Sequence, residues 1–293
     1  MPDLQDKMGF NNLYVSKTAD FIIDYHDNKV DQVLSPEHYH NSYELDFFIK
    51  ADIQIFVKDR RYEISDGDLL FISEYDVHKV LYNIGTHYTR YVINFKKEFL
   101  IDLLKFLKID NLLEKIQKND YKKVRVSINR RNEFESKFKT LLALYNSSRE
   151  KCNAENAALI KSYLLILLTH FNDTLKNAKP IREQQKKDHF VSRIIDFIDS
   201  NYAGVINLDL LEKEFHLNKY YISHVFKEIT GFTVMEYIQN RRIIEAQILL
   251  KGTSKDITEI CYDCGFNNIQ HFYRVFLKIT GITPYKYRKS SNK

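Results

Sequence analysis

Tryptophan is absent from these 293 residues, and cysteine (3), methionine (3), proline (4) and glycine (8) are all sparse. Three cysteines are an odd number, and two of them, Cys261 and Cys264, fall within one helical pattern, so a disulfide framework is not expected. No apolar run approaches the ~18 residues that a membrane span needs. The opening residues MPDLQDKMGF lack the basic-then-apolar order of a secretory signal, and the chain is expected in the cytoplasm. Charge of one sign does not dominate either: 44 Lys and Arg face 39 Asp and Glu, and a formal +5 selects no class of partner. The shortage of Gly, Pro and Trp, beside abundant Lys, Asn, Ile and Tyr, fits an AT-rich bacterial genome.

What the chain does have is a repeat. Tyr220 to Tyr237 reads YYISHVFKEITGFTVMEY, and Gln270 to Tyr287 reads QHFYRVFLKITGITPYKY. At a fixed offset Val225, Phe226, Ile229, Thr230, Gly231, Thr233 and Tyr237 meet Val275, Phe276, Ile279, Thr280, Gly281, Thr283 and Tyr287. All seven are apolar or turn residues, the mark of one small unit built twice. Each copy carries an apolar stripe at i, i+1, i+4 and then a Thr-Gly stop, since glycine accepts the left-handed conformation at a helix C-terminus. Ahead of the first copy Leu208, Leu211 and Phe215 give a short amphipathic helix. Ahead of the second, Ile257, Ile260 and Cys264 do the same, and Gly265 makes the turn. Two helices joined by a tight turn, occurring twice and linked by a long helix from about Val234 to Leu250, form two helix-turn-helix units.

The segment from about Asp188 to Lys289 resembles the DNA-binding domain of the AraC/XylS family of bacterial transcription regulators. Ile257, Ile260, Gly265, Phe266, Phe272, Arg274, Phe276, Thr280, Gly281, Thr283, Pro284 and Tyr287-Arg288 carry the resemblance. One departure stands out: Glu212 occupies a position where the first unit usually has a small residue, so its carboxylate must point sideways or find a partner. The resemblance implies that the second helix of each unit enters a DNA major groove. The outward residues are then Lys219, Tyr220, Ser223 and His224 in the first unit, and Asn268, Gln270, His271, Tyr273 and Arg274 in the second. Gln can address adenine and Arg guanine. Arg274 has two readings, a base contact or a salt bridge within the domain. Lys219, Lys227 and Lys278 are candidates for phosphate contacts. The region from Asp188 holds 14 Lys and Arg against 12 Asp and Glu, so its basic residues must gather on one face to serve a phosphate backbone.

The first hundred residues read differently. FIIDY, YELDFFIK, DIQIFVKD, RYEI, DLLFI, HKVLY and RYVINF are short runs rich in Val, Ile, Phe and Tyr, punctuated by turn residues, and predict a small all-β sandwich or barrel to about Phe95. HYHNSYEL (His38 to Leu45), DGDLLFI (Asp66 to Ile72) and His78 resemble the cupin-type sensor barrel of many regulators in the same family. Asp66 stands where that pattern usually has Pro, and the turn at Lys50-Ala51-Asp52 lacks its usual Gly. His38, His40, Glu44 and His78 are the candidate effector-binding residues that this resemblance implies. Two other readings remain open for them, polar wall residues or ligands of a divalent metal; no metal or cofactor is expected. Tyr25, Tyr43, Phe47, Tyr82 and Tyr88 are candidates for aromatic pocket walls.

From Phe99 to Lys176 the period turns helical in LIDLLKFL, FESKFKTLLALY and ALIKSYLLILLTHF, the last apolar on more than one face and therefore buried or paired. The polar run Asn177 to Lys187, with Pro180, reads as a linker. The expected architecture is α+β and multidomain: residues 1–176 a cupin-like sensor and dimerisation domain, 177–187 a linker, 188–293 an all-α DNA-binding domain. The expected partners are double-stranded DNA, a small-molecule effector, RNA polymerase and a second copy of the chain. The expected function is a sequence-specific, non-enzymatic transcription regulator, most simply an activator answering a small molecule such as a sugar. The alternatives are a metal-binding cupin enzyme with an accessory DNA-binding domain, and a regulator governed by dimerisation without an effector. Cys261 and Cys264 spell C-x-x-C, but they hold small apolar positions and no further Cys or His completes a zinc site.

Overall fold

The computed structural model describes residues 14–15, 19–29, 39–58, 60–81, 85–119, 122–150, 154–177 and 186–291. His38, Tyr82 and residues 178–185 of the expected linker lie outside them.

The alternating runs near the N-terminus form strands: β1 (Tyr14–Val15), β2 (Phe21–Lys29), β3 (Tyr39–His40), β4 (Tyr43–Lys50), β5 (Asp52–Val57), β6 (Arg60–Ser65), β7 (Asp68–Ile72), β8 (His78–Leu81) and β9 (His87–Phe95). Helices α1 (Lys97–Phe106) and α2 (Leu112–Lys118) follow, then a three-residue strand β10 (Lys123–Arg125), α3 (Arg131–Glu150) and α4 (Ala154–Asn177). One antiparallel sheet has the order β10-β7-β4-β9-β2, a second has the order β6-β5-β8, and β1 pairs in parallel with β3.

Side-chain parity along β4 explains the layers. Tyr43, Leu45 and Phe47 point to one face, where they join Leu69, Phe71, Tyr91 and Ile93 in a core shared with α1–α4. Phe48 points the other way, into a core with Leu70 and Ile72 of the first sheet and Ile53, Ile55, Val57 and Val80 of the second. Both faces of the central strands are therefore covered, which is why their sequences read as nearly continuous apolar runs. The two departures at the Ala51 turn and at Asp66 answer each other: the Ala51 N–H donates to Asp66 Oδ1 at 2.9 Å. The carboxylate thus holds the β4–β5 turn that a Gly and a Pro would otherwise shape.

The second half of the chain is all-α: α5 (Lys186–Asn201), α6 (Leu208–Phe215), α7 (Lys219–Thr230), α8 (Val234–Gly252), α9 (Ile257–Asp263), α10 (Ile269–Thr280) and α11 (Pro284–Ser291). The two units end their second helices with the same device. Thr230 Oγ1 donates to Phe226 O (2.7 Å) and accepts from the Phe232 N–H (3.0 Å), while Thr280 Oγ1 bonds to Phe276 O (2.8 Å) and Ile282 N (3.4 Å). Gly231 and Gly281 then sit at φ 83° and 76°, in the left-handed region. Helix α8 starts in a full capping box between Thr233 and Glu236 and runs unbroken between the units. Arg242 on α8 donates to Tyr202 O (2.8 Å) and Gly204 O (2.7 Å), and so ties the long helix to the loop after α5.

The halves are not separate in the packing. Tyr39, Phe56 and Val77 of the barrel belong to the same buried cluster as Ile194, Phe226, Ile243, Ala246 and Phe276 of the helical half. Tyr39 alternates with His40, Val77 with His78, and Phe56 with Ile55 and Val57. The outer face of the small sheet rests on the helices while its inner face closes the barrel.

Candidate functional site

Burial along α7 and α10 follows their apolar stripes. Ile222, Val225, Phe226 and Ile229 are buried in α7, and Phe272, Val275, Phe276 and Ile279 in α10. The opposite faces are left to solvent: Tyr220 is 76% exposed, and His224, Lys227, Gln270, Arg274 and Lys278 are exposed. Ser223, His271 and Tyr273 are half-buried at the edges of these faces. Both helices thus present a polar ridge above a greasy base, the form in which a helix reads a groove.

Four of the candidate contact residues, Lys219, Asn268, His271 and His224, have structural partners as well. The Lys219 ammonium lies 2.7 Å from Asp209 Oδ1, and this hydrogen bond holds the Asp209 carboxyl below its usual range. Lys219 is therefore engaged within its own unit and is not a bare cation for a phosphate. Asn268 is the N-cap of α10, its side chain accepting the His271 N–H at 2.9 Å. The His271 ring stands edge-on to Phe266, 5.7 Å between centroids. His224 lies 3.8 Å from Glu228 one turn on. Arg274 has no salt bridge among the described residues, which leaves the guanidinium available for a base.

Glu212 does find a partner. Its Oε1 accepts the Lys219 N–H at 3.2 Å, at the first residue of α7, beside the Asn218 cap on the Tyr220 N–H at 2.9 Å. The packing of the first unit is intact with the carboxylate in place. Cys261 and Cys264 are buried and unbridged. Burial pushes the Cys264 thiol up to about 12, which keeps it protonated at neutral pH and removes the basis for redox chemistry there.

In the barrel the structure brings His40, Glu44 and His78 together, with one donor atom from each within 4.8 Å of the others and all three buried. His40 Nε2 is 3.0 Å from Glu44 Oε2, and the two imidazole rings meet edge to face at 5.1 Å. Each ring is steered from its far side: His40 Nδ1 lies 2.8 Å from Ser42 O, and His78 Nδ1 lies 2.9 Å from Asp76 O. A carbonyl only accepts, so both Nδ1 atoms donate, and the Nε2 of His40 turns toward the carboxylate. Burial works to raise the Glu44 pKa, but the His40 hydrogen bond and the charges of His40, His78 and Arg90 outweigh it and hold the carboxyl well below its usual range.

Two neighbours escaped the sequence reading. Asn94 Nδ2 donates to Glu44 Oε2 at 3.1 Å from the directly opposite position on β9, and Arg90 Nη1 donates to the buried Asp46 Oδ2 at 2.9 Å. Period-two counting from Glu44 and Asn94 would have found Asp46 and Arg90 on the same inner faces. Among the proposed aromatic walls, Tyr88 shares the barrel's inner core, whereas Tyr43 and Phe47 point to the helical layer and Tyr25 is 45% exposed. The reason is parity: Tyr43 and Phe47 are odd positions of β4, and Glu44 is even.

A family model described as a helix-turn-helix domain matches residues 211–290. The regulatory protein SoxS of Salmonella typhimurium is 33% identical over 98 residues, 33% of this chain and 92% of that protein. The transcriptional activator RhaS of an Enterobacter species is 22% identical over 262 residues, 89% of this chain and 90% of that protein. The bifunctional transcriptional activator and DNA repair enzyme AdaA of Bacillus subtilis is 34% identical over 116 residues, 40% of this chain and 55% of that protein. Two further curated relatives are matched over 46% and 43% of their own length, so the chain spans about half of these three.

Proposed function

The chain belongs to the AraC/XylS family of transcription regulators, and from that premise we propose that it is a sequence-specific DNA-binding regulator whose barrel senses a small molecule. The observation that carries this reading is the duplication: two helix-turn-helix units with matched stops, each exposing the polar face of its second helix, joined by one continuous α8. Tyr220, Ser223 and His224 on α7, and Gln270, His271, Tyr273 and Arg274 on α10, are the proposed base-facing residues. Lys219 and Asn268 set the helix ends on which those residues ride.

The proposed division is 1–176 for the sensor, 177–187 for the linker and 188–293 for DNA. His40, Glu44 and His78 are the proposed effector residues, with Asn94 beside them; His38 is retained from the sequence pattern alone. An effector that engages His40 and His78 acts one residue away from Tyr39 and Val77, which rest on the helical half, and this is the physical route from ligand to DNA affinity. Exposed Leu159 and Ile166 on the outer side of α4 support a homodimer through that helix. RNA polymerase is the proposed partner for activation, and the cytoplasm the proposed location, since the target DNA is there. No described helix is long and apolar enough to cross a membrane. The regulator reading gives the chain no reaction to catalyse, and the repair activity in AdaA's name is that protein's.

The test is enrichment of random-sequence duplexes by the full-length protein. A recovered motif in two parts, one helical turn (~34 Å) apart, is the expected result. Retention of all sequences alike overturns the reading. A second reading has one observation behind it: the donor set His40, Glu44 and His78 fits a divalent cation, because one donor atom of each lies within 4.8 Å of the others while both Nδ1 atoms are held by carbonyls. Elemental analysis of purified protein, and its loss in His40→Ala, tests that reading.

A further inference from the structure

Two routes join the helix-turn-helix units. One is covalent and runs along α8. The other runs through space, and Arg242 stands in it. The loop between α5 and α6 belongs to the first unit: α5 packs on α7, and Phe197 of α5 meets Phe215 of α6 edge to face, 5.8 Å between centroids. The Gly204 N–H donates to Asn201 O at 2.8 Å and closes that loop. The loop then lies against the turn that opens α10. A Cβ on Gly265 would stand 2.6 Å from Ala203 O and 2.9 Å from Ala203 Cα, so here the two backbones touch directly.

Arg242 clasps both sides of this contact. Its Nε donates to Tyr202 O at 2.8 Å and its Nη2 to Gly204 O at 2.7 Å, bracketing Ala203. Its guanidinium carbon lies 5.6 Å from the centroid of the Phe266 ring, next to Gly265. Phe266 is buried and packs on Phe272 of α10, 5.2 Å between centroids. A planar fork that bonds two carbonyls and rests on an aromatic ring is a guanidinium's geometry, and an ammonium does not reproduce it. Arg241, the residue before, has contacts of a different kind. It covers the Tyr202 ring at 4.4 Å and pairs with Asp199 and Glu245 at 3.5 and 3.2 Å.

We propose that Arg242 is a positioning residue for DNA reading: it locks the α5–α6 loop of the first unit to the turn that opens α10, so that α7 and α10 meet the duplex as one rigid pair. The proposal rests on the DNA-binding reading above. A lone helix between two units leaves them free to swing at its ends. A second attachment, off the helix axis, removes that freedom. The gain is preorganisation, because orientation fixed before binding is not lost again on binding. It matters where both helices must find their bases at once, and little where phosphate contacts alone hold the protein.

The direct measurement is the distance between the two recognition helices in the free, full-length protein. Spin labels on Lys227→Cys and Lys278→Cys, both exposed positions, report it in a Cys152→Ser background, where Cys261 and Cys264 are buried away from the label. With Arg242 in place the expected result is one narrow distance distribution, and with Arg242→Ala a broader one. On DNA, unlabelled Arg242→Ala is expected to lose about tenfold in affinity for the duplex that wild type enriches from random sequences, and little on a scrambled duplex of equal composition. Arg241→Ala removes the neighbouring ion pairs from the same helix. It is expected to lower the thermal midpoint while keeping the narrow distribution and the ratio of the two affinities. Arg242→Lys keeps the charge without the fork and is expected to fall between wild type and Arg242→Ala, so it carries the test if Arg242→Ala does not fold. Equal distributions in wild type and the Arg242 variants, equal losses on the two duplexes, or the same broadening in Arg241→Ala overturns the proposal while the regulator reading stands. Failure of the wild-type protein to enrich any sequence overturns both.

Discussion

The hydroxyl of Tyr39, in the barrel, donates a hydrogen bond to Oε1 of Gln247, 3.4 Å away on α8, with both side chains fully buried. Two hundred and eight positions apart in sequence, they join the barrel half to the helix that carries both helix-turn-helix units. His40, the next residue along, faces the barrel cluster. One dipeptide thus touches the candidate ligand site and the DNA-binding scaffold at once.

Removing only that hydroxyl leaves the buried Gln247 Oε1 without its donor. Tyr39→Phe is expected to lower stability by about 0.5–1.5 kcal/mol, read as a shift in the urea midpoint at unchanged slope. A neutral result would mean that the ring's packing alone makes the contact.

On the DNA side, Gln270→Ala and Arg274→Ala are each expected to weaken binding to the preferred duplex by about 1–3 kcal/mol, with little change on scrambled DNA. Asn268→Ala differs in kind. It removes a helix cap and is expected to lower the thermal midpoint, as a loss of about 1 kcal/mol would. Equal effects of all three substitutions on preferred and scrambled duplexes would count against base reading by α10.

Gly265 sits at φ 84°, and a Cβ there would lie 2.6 Å from the Ala203 carbonyl oxygen. Backbone cannot give way as a side chain can. Gly265→Ala is expected to destabilise the helical half by roughly 2 kcal/mol or more, detected as an early transition in a thermal melt. A midpoint equal to wild type would show that the turn has room the structure does not reveal.

Glu74 lies in the β7–β8 turn. Burial first, then the charge of Glu98, raises its carboxyl pKa to about 7, against the pull of Lys251, Lys97 and His40. Burial also lowers the Lys251 pKa. Between the ordinary value of 4.5 and about 7 the folded chain keeps a proton that the unfolded chain has released. Folding stability from this group is therefore present at low pH and lost as pH rises through that window, by at most about 3 kcal/mol. Glu74→Gln should lack this slope and gain on wild type at pH 8. Parallel stability profiles for the two proteins from pH 4.5 to 8 would refute it.

The helical half was legible because its signals are local: the apolar stripe from Val225 to Ile229, the Thr-Gly stop and the copy of both at a fixed offset. The β half was legible as strands, but not in detail. β10 has three residues and no period to read, and α2 is under two turns long. Phe47 and Tyr43, candidates for pocket walls, lie in the core under the helices instead, because an aromatic residue in a strand gives no sign of which face is inside until a polar residue of known parity, Glu44, fixes it. The packing of Tyr39, Phe56 and Val77 with the helical half had no sequence signal at all. Those residues look like core, and only the fold says whose core they join. The partners of Glu212 were hidden for a related reason, since its N–H donor belongs to the next helix.

Helix α8 spans 19 residues without a break, anchored by the Thr233–Glu236 box at one end, with Arg242 fixed to the loop after α5. At 1.5 Å per residue it is a strut of about 28 Å. A strut fixes phase as well as distance. Each base pair inserted between the two half-sites turns one groove segment by roughly a tenth of a full rotation relative to the other, a mismatch the strut cannot follow. Binding sites for this protein should therefore drift over generations by exchange of letters, and almost never by change of length.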